Sequence, residues 1–229
     1  MCGRFAVGDT DGTDWADWLA IEPDLGWPPP GRPAANWNVA PTQRVEMVRL
    51  VDGVRRADAA RWGLIPFWWR KPLSEFRMTT FNARSEEASG KPTFRDAWKR
   101  GHCVIPAIGY YEWTGKKGAK TPYFITNTRN TPGLWFAGLW TAPMVDGERM
   151  LTCTILTTAA GQATVHLHPR SPVVLEDADA ADWLAYAGDP ASMMRPIPDD
   201  RVTLHEVDRA VGKVSNNGPN LIERVGLDL

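Results

Sequence analysis

The sequence predicts an α+β fold, a single domain of predominantly antiparallel β-strands that form barrel-like sheets with flanking helices. Three observations carry that expectation. Between Cys103 and Thr157 five short β-prone runs follow one another, separated by turn residues. Apolar residues at helical spacing occur on both sides of that region, over Asp14–Ile21 and Asp177–Ala187. The 229 residues contain no internal repeat, low-complexity tract or long linker, which suits one domain over residues 1–229.

Taken in order, Trp15, Trp18 and Leu19 lie on one face of a helix over Asp14–Ile21, with Thr13 as its cap. Gly26–Pro33 is a loop rich in proline and glycine. Arg44–Val51 and Asp58–Trp62 read as strands joined through a turn at Asp52-Gly53. Thr93–Arg100 is a short helix that ends near Gly101. The strand run follows as Cys103–Pro106, Gly109–Thr114, Pro122–Thr126, Leu134–Trp140 and Met150–Thr157. Its turns include Gly115–Lys120, Thr131-Pro132-Gly133 and Asp146-Gly147. Val173–Leu175 adds a short strand. Asp177–Ala187 is an amphipathic helix with acidic residues in its first turn, and Thr203–Val207 is the last strand.

Composition narrows the functions. Hydrophobic residues make up 43%, enough for a real core, and no run of 18 apolar residues would span a membrane. The N-terminus lacks the basic and apolar stretches of a secretory signal. Three scattered cysteines, Cys2, Cys103 and Cys153, make neither a disulfide framework nor a zinc knuckle, and they suit a reducing cytoplasm. No cofactor or metal is expected. A net charge of −1 excludes a polybasic nucleic-acid binder, so any such site is a local cluster. Twelve tryptophans are enough to supply both a core and an exposed aromatic platform.

The chain opens Met1-Cys2-Gly3-Arg4-Phe5. Removal of Met1 would leave Cys2 with a free α-amine and a free thiol, which titrate at about 8 and about 8.5. Together they condense with an aldehyde. The amine makes an imine, and the thiolate closes onto its carbon to give a thiazolidine. Five further segments carry polar or aromatic groups in informative patterns. Asn82-Ala83-Arg84-Ser85-Glu86 is either a helix cap or a site in which Asn82 orients a polar group and Arg84 meets a phosphate. Glu112 stands between large aromatics on the strand Gly109–Thr114, with Tyr110 and Thr114 on its face and Tyr111 and Trp113 on the other. Burial there would raise its pKa and suit it to acid/base work; on an edge strand it would simply face solvent. His166 and His168 lie in a proline-fixed loop with Arg170. A metal pair lacks further ligands nearby, which leaves a proton shuttle or a surface histidine. Trp68 and Trp69, followed by Arg70 and Lys71, form either a base-stacking platform or core with a solvated basic end. The stretch Arg209–Gly218 is polar and uninformative alone.

In order, MCGRF, WNVAP (Trp37–Pro41), WGLIPFWW (Trp62–Trp69), NARSE (Asn82–Glu86), CVIPAIGYYEW (Cys103–Trp113), HPRSP (His168–Pro172) and RAVGKVSNNG resemble the SRAP family of SOS-response-associated peptidases, or abasic-site-processing proteins. The resemblance runs from Cys2 to about Asn217. It implies one α+β domain with barrel-like sheets. It also implies a DNA-damage function on single-stranded DNA containing abasic sites, including junctions with duplex. In that family the mature N-terminal cysteine, here Cys2, forms a thiazolidine crosslink with the ring-opened abasic aldehyde. Asn82, Glu112 and His168 match its other catalytic positions, His168 rather than His166. Arg4, Trp68, Trp69, Arg84, Trp113 and Arg170 fall in matched blocks and become the DNA-contact candidates. Self-processing of Met1, weak strand scission from the imine stage and association with the nucleoid are further implications. Two departures stand out. The His-x-Arg block is usually followed by Met-Pro, and here Ser171 precedes Pro172; Ile108 stands where the residue before the Gly of GYYEW is often polar.

Class II glutamine amidotransferases also begin Met-Cys-Gly, with the thiol as nucleophile and the amine as base. They are usually fused to a synthase domain, and their further motifs are not evident here. A non-catalytic single-strand-binding module, built on Trp68 and Trp69 and indifferent to Cys2, is the third class.

Overall fold

The computed structural model describes residues 2–7, 33–116, 118–128 and 133–226. The helix expected over Asp14–Ile21 with its cap Thr13, the loop Gly26–Pro33 apart from Pro33, and the Thr131-Pro132 part of a turn lie outside the described residues.

Strands β1 (Phe5–Ala6), β2 (Arg44–Val51) and β3 (Val54–Trp62) come first. The Asp52-Gly53 turn joins β2 and β3 as the sequence indicates. Both residues take positive φ, 53° and 81°, the conformation a two-residue hairpin turn demands. β3 begins at Val54, ahead of the expected Asp58, because pairing with β2 extends to Val51↔Val54. β4 (Asn82–Arg84) leads directly into a helix at Ser85–Ala88. A second helix, Arg95–Arg100, precedes β5 (His102–Ala107), β6 (Gly109–Thr114), β7 (Thr121–Asn127) and β8 (Leu134–Thr141). The hairpin β9 (Met144–Val145) and β10 (Glu148–Arg149) turns at Asp146-Gly147. β11 (Thr152–Ala159), β12 (Arg170–Pro172), β13 (Val174–Leu175), the helix Asp177–Ala185 and β14 (Val202–Glu206) complete the main elements. The Asp177 helix stops at Tyr186, whose φ of 57° is left-handed.

β3, β2, β5, β8 and β11 form a ring, since β11 pairs with β8 on one side and with β3 on the other. Closure removes the exposed edges that an open sheet would carry. The closing β3–β11 pair is parallel, and β4 also lies parallel to β11, with Ile155↔Asn82 in register. β1, β6, β7 and β14 form a second, antiparallel sheet. β5 runs almost directly into β6, so one continuous segment serves both sheets.

Two apolar clusters fill the barrel and its flanks. One, with Val104, Leu139 and Trp183, lies under the helix Asp177–Ala185. The other joins Trp62, Ile105, Phe136 and Ile155 of the barrel to Cys2, Phe5 and Tyr110. Phe5 packs edge-to-face on Trp62 and Phe136, with ring centroids 4.9 and 5.9 Å away. The N-terminal segment is thus buried among the strands that position it.

Candidate active site

β1 lies antiparallel to β6, with Phe5 opposite Tyr110 and Ala6 opposite Gly109. The Tyr111 N–H donates to the Arg4 carbonyl at 2.9 Å. From the barrel side, Asn82 Nδ2 donates to the Cys2 carbonyl at 2.7 Å. Asn82 is itself fixed by its neighbour. The Phe81 carbonyl accepts from Trp62 Nε1 at 2.7 Å and from the Ile155 N–H at 3.0 Å. Strands of two sheets therefore hold the carbonyls of Cys2 and Arg4.

The electrostatics follow from burial. Cys2 is fully buried, and its Sγ–H lies 3.6 Å from the Arg4 carbonyl. Burial, reinforced by the negative charge of Glu112, pushes the Cys2 thiol pKa far up. Glu112 is itself buried, at 6% exposure rather than facing solvent, and burial holds its carboxyl above the usual carboxylate range. His168 is shifted down by burial, with positive charge from Lys120 and Arg170 adding to the effect. The Arg170 N–H donates to His168 Nδ1 at 3.0 Å, so neutral His168 carries its proton on Nε2. His166 is exposed, and no metal-binding cluster occurs among the described residues.

The aromatic and basic candidates divide. Trp68 is 43% exposed and lies beside exposed Phe67, while its Nε1 donates to the Pro92 carbonyl at 3.3 Å. Trp69 is half-buried and packs edge-to-face on Phe76. Arg84 is exposed and pairs with Glu87 at 3.1 Å. Arg170 makes a bidentate pair with Glu86, at 2.8 Å for each oxygen, and also reaches the Thr157 carbonyl. Arg4 donates to Asn38 Oδ1 at 2.6 Å and to the Val211 carbonyl at 2.9 Å, with its guanidinium 5.8 Å from the centre of the Trp113 ring.

Sequence reasoning missed an asparagine clamp. Asn38 Nδ2 donates to the carbonyls of Lys213 and Asn216 while its Oδ1 takes the Arg4 bond. Asn217 accepts from the Trp37 N–H and donates to the Ala35 carbonyl. The WNVAP and RAVGKVSNNG blocks therefore lock the C-terminal segment onto the N-terminal one, and only their side-chain amides hinted at it. Asn38→Ala removes three bonds from a fully buried position, one of them to a guanidinium. It should cost about 2–4 kcal/mol, read as a lowered midpoint in a denaturant titration.

The sequence model of the SOS response associated peptidase (SRAP) family matches residues 1–214. The chain belongs to the SRAP family. Among its SRAP relatives, the abasic site processing protein YedK of Escherichia coli is 34% identical over 232 residues, covering 98% of this chain and 100% of that protein. The abasic site processing protein YoqW of Bacillus subtilis is 33% identical over 231 residues, covering 97% and 99%. A crystal structure from Bordetella bronchiseptica superimposes with a TM-score of 0.77 at 28% identity, covering 90% of this chain and all of that one. One from Bacteroides thetaiotaomicron gives 0.81 at 23% identity, covering 97% and 99%, and shares the fold. Among the described residues no helix is long and apolar enough to cross a membrane.

Proposed function

We propose that this SRAP protein captures abasic sites in single-stranded DNA as a thiazolidine crosslink through Cys2, once Met1 is removed. The observation that carries the reading is the bond from Asn82 to the Cys2 carbonyl, made beside buried Glu112. It holds residue 2 by its backbone, which leaves the amine and thiol for chemistry.

The ionised Glu112 takes the proton of the sugar hemiacetal hydroxyl, and the imidazolium of His168 gives one to the ring oxygen, which opens the sugar to its aldehyde. The Cys2 amine adds to C1′, and the resulting carbinolamine loses water to give an imine. The Cys2 thiolate then adds to the imine carbon, and the ring nitrogen takes up a proton. One water is released overall and nothing is oxidised or reduced. Holding both nucleophiles on one fixed residue is worth roughly 7–11 kcal/mol against the same groups free in solution. A ring-closed adduct shields the lesion from β-elimination, whereas an imine that fails to close leads to weak strand scission.

The test is incubation with a uracil-containing oligonucleotide treated with uracil glycosylase, followed by a denaturing gel. A heat-stable shifted band supports the reading. Ammonia release from glutamine without such a band would favour the amidohydrolase chemistry instead.

Single strands, including those that end at a duplex junction, should react faster than intact duplex. The net charge of −1 leaves no broad basic face, and Arg4 and Arg170 already hold partners within the chain. Few phosphates are then contacted, and the salt dependence should be shallow, with a log–log slope of about −0.7 per phosphate. Trp68 supplies the exposed ring, so Trp68→Ala should weaken non-covalent binding by roughly 1–3 kcal/mol if one base stacks on it. Equal rates on all three substrates, with Trp68→Ala unchanged, would remove the platform.

The buried carboxyl should cost stability. Because its folded pKa is raised, the folded state holds the Glu112 proton where the unfolded chain has released it. Stability therefore falls as pH rises from the ordinary carboxylate value through the raised one. The thermal midpoint of Glu112→Gln, measured against wild type across pH 4–8, should gain on it progressively with pH.

A further inference from the structure

His168 stands near the end of the loop between β11 and β12, and that loop is wound before it reaches the histidine. The N–H groups of Thr164 and Val165 donate to the Gly161 carbonyl at 3.1 and 2.9 Å. Those of Leu167 and His168 donate to the Thr164 carbonyl at 2.9 and 3.3 Å. Two consecutive turns thus run from Gly161 to His168. The Ala160 N–H closes the base of the loop on the Pro169 carbonyl at 3.1 Å. A helical turn leaves its first N–H groups without partners of its own. Here they belong to Gln162 and Ala163, and one distant side chain takes both. Asp199 Oδ2 accepts from the Gln162 N–H at 3.1 Å, and Oδ1 accepts from the Ala163 N–H at 2.9 Å. The approach is close enough that position 161 suits only glycine, since a β-carbon there would collide with the Asp199 carboxylate.

Asp199 is itself held in place. It opens a short helical turn, Asp199–Arg201, in which the Arg201 N–H donates to the Pro198 carbonyl at 2.9 Å. The Arg201 guanidinium pairs with both carboxylate oxygens of Glu176, just ahead of the helix Asp177–Ala185. The Arg201 carbonyl accepts from the Thr128 N–H at 2.8 Å, at the end of β7. The histidine loop is therefore tied to β7 and to the Asp177 helix as well as to its own two strands. We infer that Asp199 is a positioning residue for His168: its carboxylate fixes the start of the winding whose end places the imidazole. The Arg170 N–H on Nδ1 then sets the rotation of the ring. Asp199 is exposed and belongs to none of the packed apolar clusters, so its substitution leaves the core as it is.

The inference rests on the role proposed above for His168, but its first test needs no DNA, so the two can fail separately. Burial is the main cause of the lowered His168 pKa, and the charged groups that bear on it, the α-amine, Lys120 and Arg170, are all cationic. The His168 titration is followed by NMR in the full-length protein. Asp199→Ala should loosen the turn, expose the imidazole and move its titration up toward the ordinary histidine value. Asp199→Asn loses the charge but keeps a capping oxygen, and should titrate as wild type does. A lost negative charge acting through space would instead lower the titration, and equally in both variants. The second test is the rate of adduct formation on an abasic single strand. Asp199→Ala should slow it by roughly tenfold through misplacement of the imidazole, and Asp199→Asn should restore most of the rate. In a His168→Ala background, Asp199→Ala should make little further difference. A His168 titration that does not rise in Asp199→Ala would overturn the assignment. So would a loss of rate that Asp199→Asn does not restore, or one that persists without His168. If wild type forms no adduct at all, the proposed function fails and the titration alone decides the role of Asp199.

Discussion

Cys2→Ala abolishes the heat-stable adduct on abasic single strands while leaving the fold and non-covalent binding nearly intact. The alanine variant keeps an α-amine after Met1 removal, and that amine still makes an imine. An imine hydrolyses on denaturation unless borohydride reduces it, and without the thiol no ring forms. The variant should therefore show a band only when borohydride is present. The Asn82 bond to the residue 2 carbonyl does not involve the side chain, so the backbone grip survives the substitution. An uncleaved tag ahead of Cys2 should have the same effect as losing the reaction altogether, because it blocks the amine. A stable adduct from Cys2→Ala without reductant would remove the thiazolidine from the mechanism.

Glu112→Gln and His168→Ala slow adduct formation by about 10²–10⁴-fold each, the usual contribution of a general acid or base. Their binding of an abasic-free strand should change far less. The pH dependence separates a proton-transfer role from a structural one. Glu112 acts as its carboxylate and its pKa is raised by burial, so the wild-type rate falls as pH drops through a value above the ordinary carboxylate range. Glu112→Gln has no such group and should lose that acid limb, leaving a lower and flatter profile. His168 has a lowered pKa, so the imidazolium that donates is a minor fraction at pH 7, and the part of the rate that depends on it should fall as pH rises through that lowered value. Single-turnover rates across pH 5–9 measure both effects. Wild-type rates from both variants would make these residues structural.

The limits of the longer strands were the most legible part of the sequence, for a physical reason. β2, β5, β6, β7 and β8 are long enough to show β-prone runs bounded by turn residues, and their observed limits fall within one or two residues of those expected. β4 and β12, of three residues each, carry no periodicity. Their assignment depends on pairing with β11, which lies far away in sequence. The parallel β3–β11 pairing that closes the ring is equally invisible, because no local signal distinguishes an open sheet from a closed one.

The site shows the same division. Burial of Glu112 was foreshadowed by its aromatic neighbours. The two tryptophans were read together, yet the fold exposes Trp68 and packs Trp69 against Phe76. Arg4 and Arg170, as isolated cations, suggested phosphate contacts. The structure gives Arg4 the amide oxygen of Asn38 and gives Arg170 both oxygens of Glu86, partners separated from them by 34 and 84 positions. Nothing in the local sequence could have named them.

The central claim is that the Cys2 amine and thiol close together on one carbon. Intact mass spectrometry of the crosslink, formed without reductant and then treated with borohydride, tests it most directly. The account predicts a species equal to the protein without Met1 plus the abasic strand minus one water, unchanged in mass by borohydride. A product that still carries Met1, or one that gains two hydrogens on reduction and so is an open imine, would contradict it.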